Sequence, residues 1–497
     1  MRWFEEHDLE TMTVPVIERI ESRIRSGDID GALALCEDLT DERIILHDLL
    51  AEAATALATW LARELGEDSL YEAFVFVFEQ SAVRQVYSLV ATGADRGIEA
   101  AMLARNCWVA HSCSGAGEHG GCFEILEDDE KFTFVMDPCG SGGRMWRKGL
   151  YEGSEGFALT ECAHPWSYNR RGFPAYCTHC AVLNELLPYR HLGYFTWPVE
   201  PPADAAGPCR WYVYKDRLGV PARFYERFGL DAPSPVRRPG KDRGRYFTRE
   251  QLERMAESTP SGIMRTLDRG DLTGALRLCR RRGGEFLFLF NLYVNALACC
   301  MDLIARKSGE DGLGSALDYV YTSCIEKQIV GIARSGNLAE AVRFLTGELF
   351  LAGTCGGSGI PRSRIRVVEG DSAVTIVLDP CPAAGKLLMR GSYDEPGRYA
   401  GRRERSEDAV LRMAVRARPP RAVMDRAVFP LVDYITETRK PRGLARLERA
   451  HYWTMGKSGV PSMCALCLSA LARSGSDRLG VSPPTGPDGR CTWRFRK

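Results

Sequence analysis

The segment HPWSYNRRGFPAYCTHC, residues 164–180, returns near the other end of the chain as HYWTMGKSGVPSMCALC, residues 451–467. Both copies fit one pattern without a gap: His-x-Trp, then a basic residue, Gly, Pro and a closing Cys-x-x-Cys. A Cys-x-x-Cys pair supplies two thiolates from one tight turn, which is typical of zinc sites. The sequence therefore predicts an internal duplication with one metal site in each copy.

The repeat extends over almost the whole chain. RWFEEHDLETM at 2–12 corresponds to RYFTREQLERM at 245–255, and VMDPC at 135–139 corresponds to VLDPC at 377–381. Self-similarity at a fixed displacement indicates a repeated structural unit. The predicted organisation is a first repeat at 1–215, a linker at 216–243, and a second, degenerate repeat at 244–497 with an Arg-rich insertion near 391–440.

Composition limits the class of protein. A hydrophobic content of 45% and a charged content of 26% over 497 residues are typical of a soluble globular chain. We find no apolar run long enough to span a membrane, and the acidic start lacks a signal-peptide pattern. We therefore expect a cytoplasmic protein with no membrane partner, whose 18 cysteines are metal ligands and buried thiols, not disulfides.

The net charge of zero hides an asymmetry between the repeats. Residues 1–215 contain 18 basic and 34 acidic side chains, whereas the rest of the chain contains 47 and 31. Complementary surfaces in an intramolecular pseudo-dimer would explain this difference, and a basic second repeat that binds an anionic partner is the alternative. No interleaving of aromatic and basic residues supports a nucleic-acid partner. The sequence does not indicate an oligomeric state.

Within each copy the hydrophobic period changes from helical to alternating. Apolar residues at helical spacing predict helices at 14–26 and 42–65, and Gly66 is a natural stop for the second. FEILED and KFTFVMD, like RIRVVEGD and AVTIVLD in the second copy, then predict a β-hairpin, and CRWYVYK a last strand. The predicted fold class is α+β: two zinc-binding domains, each with helices before a small antiparallel sheet.

The zinc hypothesis assigns four ligands to each copy. Three are the Cys-x-x-Cys pair and the histidine that starts the motif. The fourth is either Cys139, with Cys381 in the second copy, or Cys209, with Cys491; we favour the first pair, because a loop at a strand end can turn toward the knuckle. Four protein ligands close the coordination shell, so the two zinc ions are expected to be structural. The predicted ligands are Cys139, His164, Cys177, Cys180, Cys381, His451, Cys464 and Cys467.

Chemical groups that occur in one copy alone are candidates for function. His47, His111 and His119 have no histidine at the corresponding positions of the second copy. The face of the helix that follows His47 is small in the first copy and larger in the second: Ala51, Ala54 and Ala58 against Val294, Leu297 and Met301. This contrast predicts an open pocket in the first copy, and close contact with another helix is the alternative. Asp48 is expected to point away from His47.

A glycine-rich loop is the second feature that occurs only in the first copy. Gly140, Ser141, Gly142 and Gly143 precede Arg144, where the second copy has Pro-Ala-Ala-Gly-Lys. Glycines let successive N–H groups converge on an anion, and an arginine adds a forked cation. The spacing fits neither a P-loop nor a dinucleotide-binding fingerprint. An ordinary loop beside a metal ligand is the alternative.

These patterns predict a zinc-containing enzyme of small-molecule metabolism. Acid–base hydrolysis, elimination or cyclisation of a small anionic substrate in the first repeat would use histidines near pH 7. The expected catalytic residues are His47, His111, His119 and Arg144. The alternative is a zinc-stabilised binding or regulatory protein that recruits an anionic partner through the basic second repeat.

Overall fold

The protein combines long helices with small antiparallel sheets in a computed structural model, which confirms the predicted α+β class. The structure describes residues 2–41, 44–83, 95–110, 122–234, 244–330, 337–350, 363–394, 409–411, 413, 428–474, 478–484 and 488–497. The strands are β1 (Cys122–Glu127), β2 (Lys131–Asp137), β3 (Val199–Glu200), β4 (Cys209–Tyr214), β5 (Arg364–Glu369), β6 (Ala373–Asp379), β7 (Arg446–Leu447), β8 (Val460–Pro461), β9 (Leu479–Ser482) and β10 (Cys491–Arg496).

Helices make up most of the remaining regular structure. They are α1 (Glu6–Thr11), α2 (Val16–Ser26), α3 (Ile29–Asp41), α4 (Ile44–Leu65), α5 (Glu67–Gln80), α6 (Arg96–Ala110), α7 (Gly142–Arg147), α8 (His179–Ala181), α9 (Leu187–Leu192), α10 (Ala222–Glu226), α11 (Arg249–Ala256), α12 (Thr259–Asp268), α13 (Leu272–Val320), α14 (Leu338–Phe344), α15 (Ala384–Met389), α16 (Phe429–Thr438) and α17 (Cys464–Ser474). Segments with π-helical hydrogen bonding cover Val182–Leu186, Tyr321–Val330 and Leu345–Phe350, and 3-10 turns cover Pro165–Ser167, Ala175–Thr178 and Tyr452–Thr454.

The predicted first helices and hairpins are present. Helix α2 buries Ile17, Ile20 and Ile24 on one face and ends at Gly27, whose φ of 81° suits a residue without a side chain. Asp28 then caps α3 by accepting a hydrogen bond from the N–H of Gly31 at 2.9 Å. Local sequence therefore sets the end of α2 and the start of α3.

Two four-stranded sheets have the same antiparallel layout. Their strand orders are β1-β2-β4-β3 and β5-β6-β10-β9, so each hairpin is completed by a strand from much later in the sequence. Residues of β2 that point to one face are fully buried, as are those of β6: Phe132, Phe134 and Met136, and Val374, Ile376 and Leu378. Alternation places one face of each sheet in a core.

The chain forms two compact units, and neither is continuous in sequence. Unit 1 comprises Met1–Leu57, Ile263–Arg398 and Asp433–Lys497, and unit 2 comprises Ala58–Gly262 and Tyr399–Val432. Each unit therefore contains segments from both predicted repeats. The boundaries 1–215, 216–243 and 244–497 remain a prediction about sequence repetition.

In unit 1, the start of the chain is bound by Glu369 at the end of β5. Its carboxylate accepts hydrogen bonds from the N–H groups of Trp3 at 2.5 Å and Phe4 at 3.1 Å, and pairs with Lys497 Nζ at 2.6 Å. The Glu369 side chain is 1% exposed. Burial opposes ionisation, but the bonds from Lys497, Trp3 and Phe4 outweigh it and lower the pKa of Glu369.

Unit 2 contains the same arrangement with the corresponding residues. Glu127, at the end of β1, accepts the N–H groups of Tyr246 at 2.7 Å and Phe247 at 3.1 Å and pairs with Lys215 at 2.8 Å. The rings of Tyr246 and Phe247 also pack on Phe132 of β2. In each unit, a segment that starts one predicted repeat is therefore bound to the sheet of the other repeat.

Corresponding residues also meet in the helical core of unit 1. Helices α2 and α3 pack against α12 and α13 through small and branched apolar side chains. Four residues of the first copy have a partner 243 positions later in the same cluster: Ile20 and Ile263, Ile24 and Leu267, Ala32 and Ala275, Cys36 and Cys279. Each isoleucine or leucine buried here stabilises the fold by about 1.5–3 kcal/mol.

Two helical stretches of the described chain are long and apolar enough to cross a membrane by length and composition. They are Ile29–Leu65 and Leu272–Glu326, and 67% and 78% of their apolar windows are buried inside the protein. Buried core helices pass the same test, so the structure gives no clear indication of a membrane protein. Cytoplasmic location remains a prediction.

We predict that replacing Glu369 with alanine lowers the free energy of unfolding by about 3 kcal/mol, because Lys497 and two N–H groups lose a buried anion. Chemical denaturation measures the change. Replacement of Asp371, an exposed carboxylate of the β5–β6 turn, serves as the control. Equal midpoints for the two variants would contradict a stabilising role for Glu369.

Candidate functional site

Four cysteines of unit 2 lie in one region beside the first sheet. The register of β2 and β4 pairs Met136 with Cys209, and Cys139 lies just beyond the end of β2. A side chain at Gly142 would overlap the sulfur of Cys177. Burial raises the pKa of Cys180 well above its usual value, and the nearby thiols of Cys209, Cys139 and Cys177 raise it further. The structure thus brings together the predicted Cys139, Cys177 and Cys180, and adds Cys209.

Unit 1 contains the corresponding four cysteines. Cys491 pairs with Leu378 across the sheet, and the N–H of Cys381 donates to the carbonyl of Gly489 at 2.8 Å. A hydrogen bond from the Cys491 thiol lowers the pKa of Cys381 to about 7. Burial raises the pKa of Cys464 well above its usual value and that of Cys467 to about 12, and the charge of Cys381 raises both further. Both predicted alternatives for the fourth ligand therefore belong to the same cluster.

The motif histidines have different partners. Nε2 of His164 lies 2.6 Å from Oε2 of Glu67, and its ring stacks on Trp166 with centroids 4.3 Å apart. In unit 1, His451 lies 2.6 Å from Glu310 and stacks on Trp453 at 4.6 Å. The structure pairs each motif histidine with a glutamate and a tryptophan. That either histidine binds the metal of the cysteine knuckle remains a prediction.

The two glutamates were missed in the sequence analysis. Glu67 begins α5 directly after Gly66, whose φ is 84°, and Glu310 follows Gly309, whose φ is 72°. Each carboxylate also accepts two backbone N–H groups from the segment that precedes its histidine. Gly-Glu-Asp occurs at corresponding positions in both copies, and this repeated acidic residue after a helix-ending glycine was the available signal.

One difference separates these two sites. In unit 2 the ligand atoms of Glu67, Cys162 and His164 all lie within 4.8 Å of one another, the spacing of a group that could hold a metal ion. In unit 1 the position of Cys162 is taken by Arg449, whose guanidinium lies 3.7 Å from Glu310.

The glycine-rich loop forms the start of the short helix α7. The N–H of Arg144 donates to the carbonyl of Cys139 at 2.8 Å, and that of Met145 donates to the carbonyl of Ser141 at 3.0 Å. The second copy makes the same two bonds with its own residues, although it lacks most of the glycines. Arg144 is 3% exposed. This geometry favours the alternative, a loop packed beside the cysteines, and anion binding by Gly140, Ser141, Gly142, Gly143 and Arg144 remains a prediction.

Lys386, the cation at the Arg144 position in the second copy, belongs to a buried network. Its Nζ lies 2.8 Å from Oε1 of Glu437, and the other carboxylate oxygen accepts a bond from Asn291 at 2.6 Å. Lys440 donates to Asn291 at 2.5 Å. Burial opposes ionisation, but the charges of Lys440 and Lys386 prevail and lower the pKa of Glu437 to about 2. A glutamate at the end of the predicted insertion therefore neutralises this cation.

His47 does not face an open space. Its side chain is 2% exposed, and its ring makes an edge contact with Tyr293 at 5.7 Å. The expectation that Asp48 points away is wrong, because Nδ1 of His47 lies 3.0 Å from Oδ1 of Asp48. Ala58 packs in a cluster with Trp166, which favours close contact as the reason for the small side chain. The predicted proton-transfer residues His111 and His119 lie outside the described residues.

A buried ionic cluster in unit 2 was not anticipated. Arg96, which begins α6 and is 5% exposed, pairs through one terminal nitrogen with Glu99. Trp197 Nε1 donates to Glu99 at 2.9 Å, and Arg217 lies 3.7 Å away from the same carboxylate. Within the described part of the chain, Nε and Nη2 of Arg96 have no hydrogen-bond partner. The second copy has Leu338 at the position that corresponds to Arg96, 242 residues later, so this arginine occurs only in the first copy.

A second group of buried polar side chains adjoins it on the π-helical turn. Oε1 of Glu185 accepts the N–H of Val199 at 2.8 Å and pairs with Arg227, whereas Oε2 has no partner among the described residues. Both ends of the Asn184 amide also lack one. The backbone N–H of Trp197 donates to the carbonyl of Asn184 at 3.3 Å, which joins this group to the ionic cluster.

Burial raises the pKa of Glu185 to about 7, against the opposing charge of Arg227. The second copy has Leu471 and Ala472 where the first has Asn184 and Glu185, so comparison of the copies could have found this pair. Turns of π-helix occur frequently at functional sites.

No protein-family model matches the chain, and no curated protein or solved structure matches it either.

The raised pKa of Glu185 predicts a pH-dependent stability. The folded protein holds this proton more tightly than the unfolded chain, whose carboxyl titrates near 4.5, so the stabilisation is complete below pH 4.5 and is lost as pH rises through about 7. Relative to the Glu185→Gln variant, the wild-type free energy of unfolding should fall by up to about 3 kcal/mol over this range. Denaturant titrations at several pH values measure it. Glu226→Gln, at an exposed site, should follow the wild type.

Proposed function

We propose that the chain is a tandem duplication, stabilised by two structural zinc ions, whose first copy carries out acid–base chemistry on a small anionic molecule. Three features support the duplication: sheets of equal strand order, matched carboxylates at Glu369 and Glu127, and matched pairs in the helical core. Because each unit binds a segment from the other repeat, the two copies form an intramolecular pseudo-dimer.

The zinc part of the proposal rests on the two cysteine clusters. Each offers two thiols from a knuckle and two from the ends of neighbouring strands: Cys139, Cys177, Cys180 and Cys209, and Cys381, Cys464, Cys467 and Cys491. Four thiolates close a tetrahedral shell and suit a structural ion. Burial raises the pKa of the knuckle thiols of Cys180, Cys464 and Cys467, so metal binding to them would release protons and couple to folding. The motif histidines, which are paired with glutamates, are left out of both sets.

Metal analysis of the purified protein should find two tightly bound zinc ions per chain. We expect Cys209→Ser and Cys491→Ser each to lose one ion, because three thiolates remain in the affected cluster. His451→Gln should retain both. Loss of an ion in His451→Gln, with both retained in Cys491→Ser, would restore the histidine as the ligand and contradict the four-thiolate assignment.

The substrate part rests on one observation, the guanidinium of Arg96. It is 5% exposed, and two of its nitrogens have no partner among the described residues. A buried N–H donor without a hydrogen-bond partner costs about 1–3 kcal/mol, and an anionic ligand would offset that cost with a charge-assisted, forked hydrogen bond. Glu99 uses only one terminal nitrogen, and among the described residues nothing bonds to the edge formed by Nε and Nη2, which would suit a carboxylate or phosphate group.

Glu185 would supply the acid–base chemistry, and Asn184 would help to orient the substrate. Oε2 of Glu185 has no partner among the described residues, and the pKa of this carboxyl is about 7, which is close to the optimum for a group that both accepts and donates a proton. The amide donor and acceptor of Asn184 likewise lack partners within the described ranges and would orient the substrate. Trp197 links the two groups, because its indole donates to Glu99 and its backbone N–H donates to the carbonyl of Asn184. This assignment replaces His47 as the acid–base residue of the proposal.

Calorimetric titration with inorganic phosphate and with succinate tests the anion site. We expect one site per chain and a loss of affinity of about a hundredfold or more in Arg96→Leu, which carries the residue of the second copy. Arg171→Leu, at an exposed arginine, is the control and should bind like the wild type. Equal affinity of Arg96→Leu and the wild type would contradict the proposal.

A further inference from the structure

We propose that Glu67, Cys162 and His164 form a third metal site, an open one that binds a single divalent zinc or cobalt ion. The three ligand atoms already lie within 4.8 Å of one another. Ligand atoms around tetrahedral zinc are separated by about 3 to 4 Å, so small side-chain rotations would complete the geometry. An imidazole nitrogen, a carboxylate oxygen and a thiolate are a ligand set that these borderline ions accept.

Two of the three ligands are held in place by their surroundings. The Glu67 carboxylate accepts the N–H groups of Glu161 at 2.5 Å and Cys162 at 3.3 Å. The ring of His164 stacks on Trp166, and its backbone N–H donates to the hydroxyl of Ser167 at 3.0 Å. Pre-positioned ligands lower the entropic cost of binding an ion. The thiol of Cys162 is exposed and is the ligand that must move.

The second copy has the same histidine–glutamate pair without the cysteine. Glu310, His451 and Trp453 repeat the arrangement, with the same 2.6 Å contact between histidine and glutamate. At the Cys162 position stands Arg449, whose guanidinium lies 3.7 Å from Glu310 and 3.2 Å from Asp311. The second copy therefore supplies a cation from its own chain where the first supplies a thiol.

The charges of the three side chains suit a divalent cation. A thiolate at Cys162 and the carboxylate of Glu67 would place two negative charges beside a neutral imidazole, which suits a dication. Among the described residues, no lysine or arginine is paired with Glu67. The side chains of His164 and Glu67 are 21% and 16% exposed, so a water molecule can reach the fourth position. Unlike the closed thiol clusters, this site would exchange its ion with solvent.

Cobalt spectroscopy under reducing conditions tests the site without reference to any activity. After a mild chelator wash that leaves tightly bound zinc in place, we expect the protein to take up one equivalent of Co²⁺, with a thiolate-to-cobalt charge-transfer band. Cys162→Ser should lose the band, and Cys162→Arg, which carries the residue of the second copy, should lose the uptake. Cys122→Ser, at another exposed cysteine, is the control and should keep both.

The outcome is separable from that of the structural zinc proposal. Cys209→Ser and Cys491→Ser should retain the cobalt bound at Glu67, Cys162 and His164, whether or not the thiol clusters hold zinc. Cobalt uptake by Cys162→Arg that equals wild-type uptake, with circular dichroism showing both proteins folded, would overturn the proposed site.

Discussion

Two buried carboxylates, Glu369 and Glu127, hold the architecture together. Each binds two backbone N–H groups at the start of one predicted repeat and a lysine at the end of the other. A buried anion with three donors around it is stable only while all of them are in place. Both compact units therefore depend on residues that lie far apart in the sequence, and neither predicted repeat contains a complete unit.

The repeated motif of residues 164–180 and 451–467 has two structural roles. Its cysteines lie near the cysteines at the ends of the central strands, whereas its histidine contacts a glutamate that directly follows a glycine of positive φ. The two roles share the short turns of the motif, where Tyr168 and Met455 adopt the left-handed conformation at φ values of 58° and 53°. A single segment can in this way connect the sheet to the helical layer of its unit.

Positions where the two copies share a fold but differ in side-chain chemistry are candidates for function. Arg96, Asn184 and Glu185 meet this condition, since the second copy has apolar residues at their positions. His47 also met it in sequence, but its ring contacts Tyr293 and its Nδ1 lies 3.0 Å from Oδ1 of Asp48. Occurrence in one copy is therefore not sufficient evidence of function, and the buried atoms of Arg96, Asn184 and Glu185 that have no partner among the described residues are the reason for choosing them as candidates.

The sequence by itself determined the α+β class, the early helices and the hairpins, because hydrophobic period and helix-ending glycines act over a few residues. It also indicated both candidates for the fourth thiol of each cluster. Tertiary structure alone decided that Cys209 and Cys491 join their clusters and that the histidines turn to Glu67 and Glu310. It also decided that two donors of Arg96 have no partner in the described part of the chain. These outcomes depend on strand pairing and on contacts between distant segments, such as Glu67 with His164 and Glu310 with His451, which are separated by 97 and 141 residues.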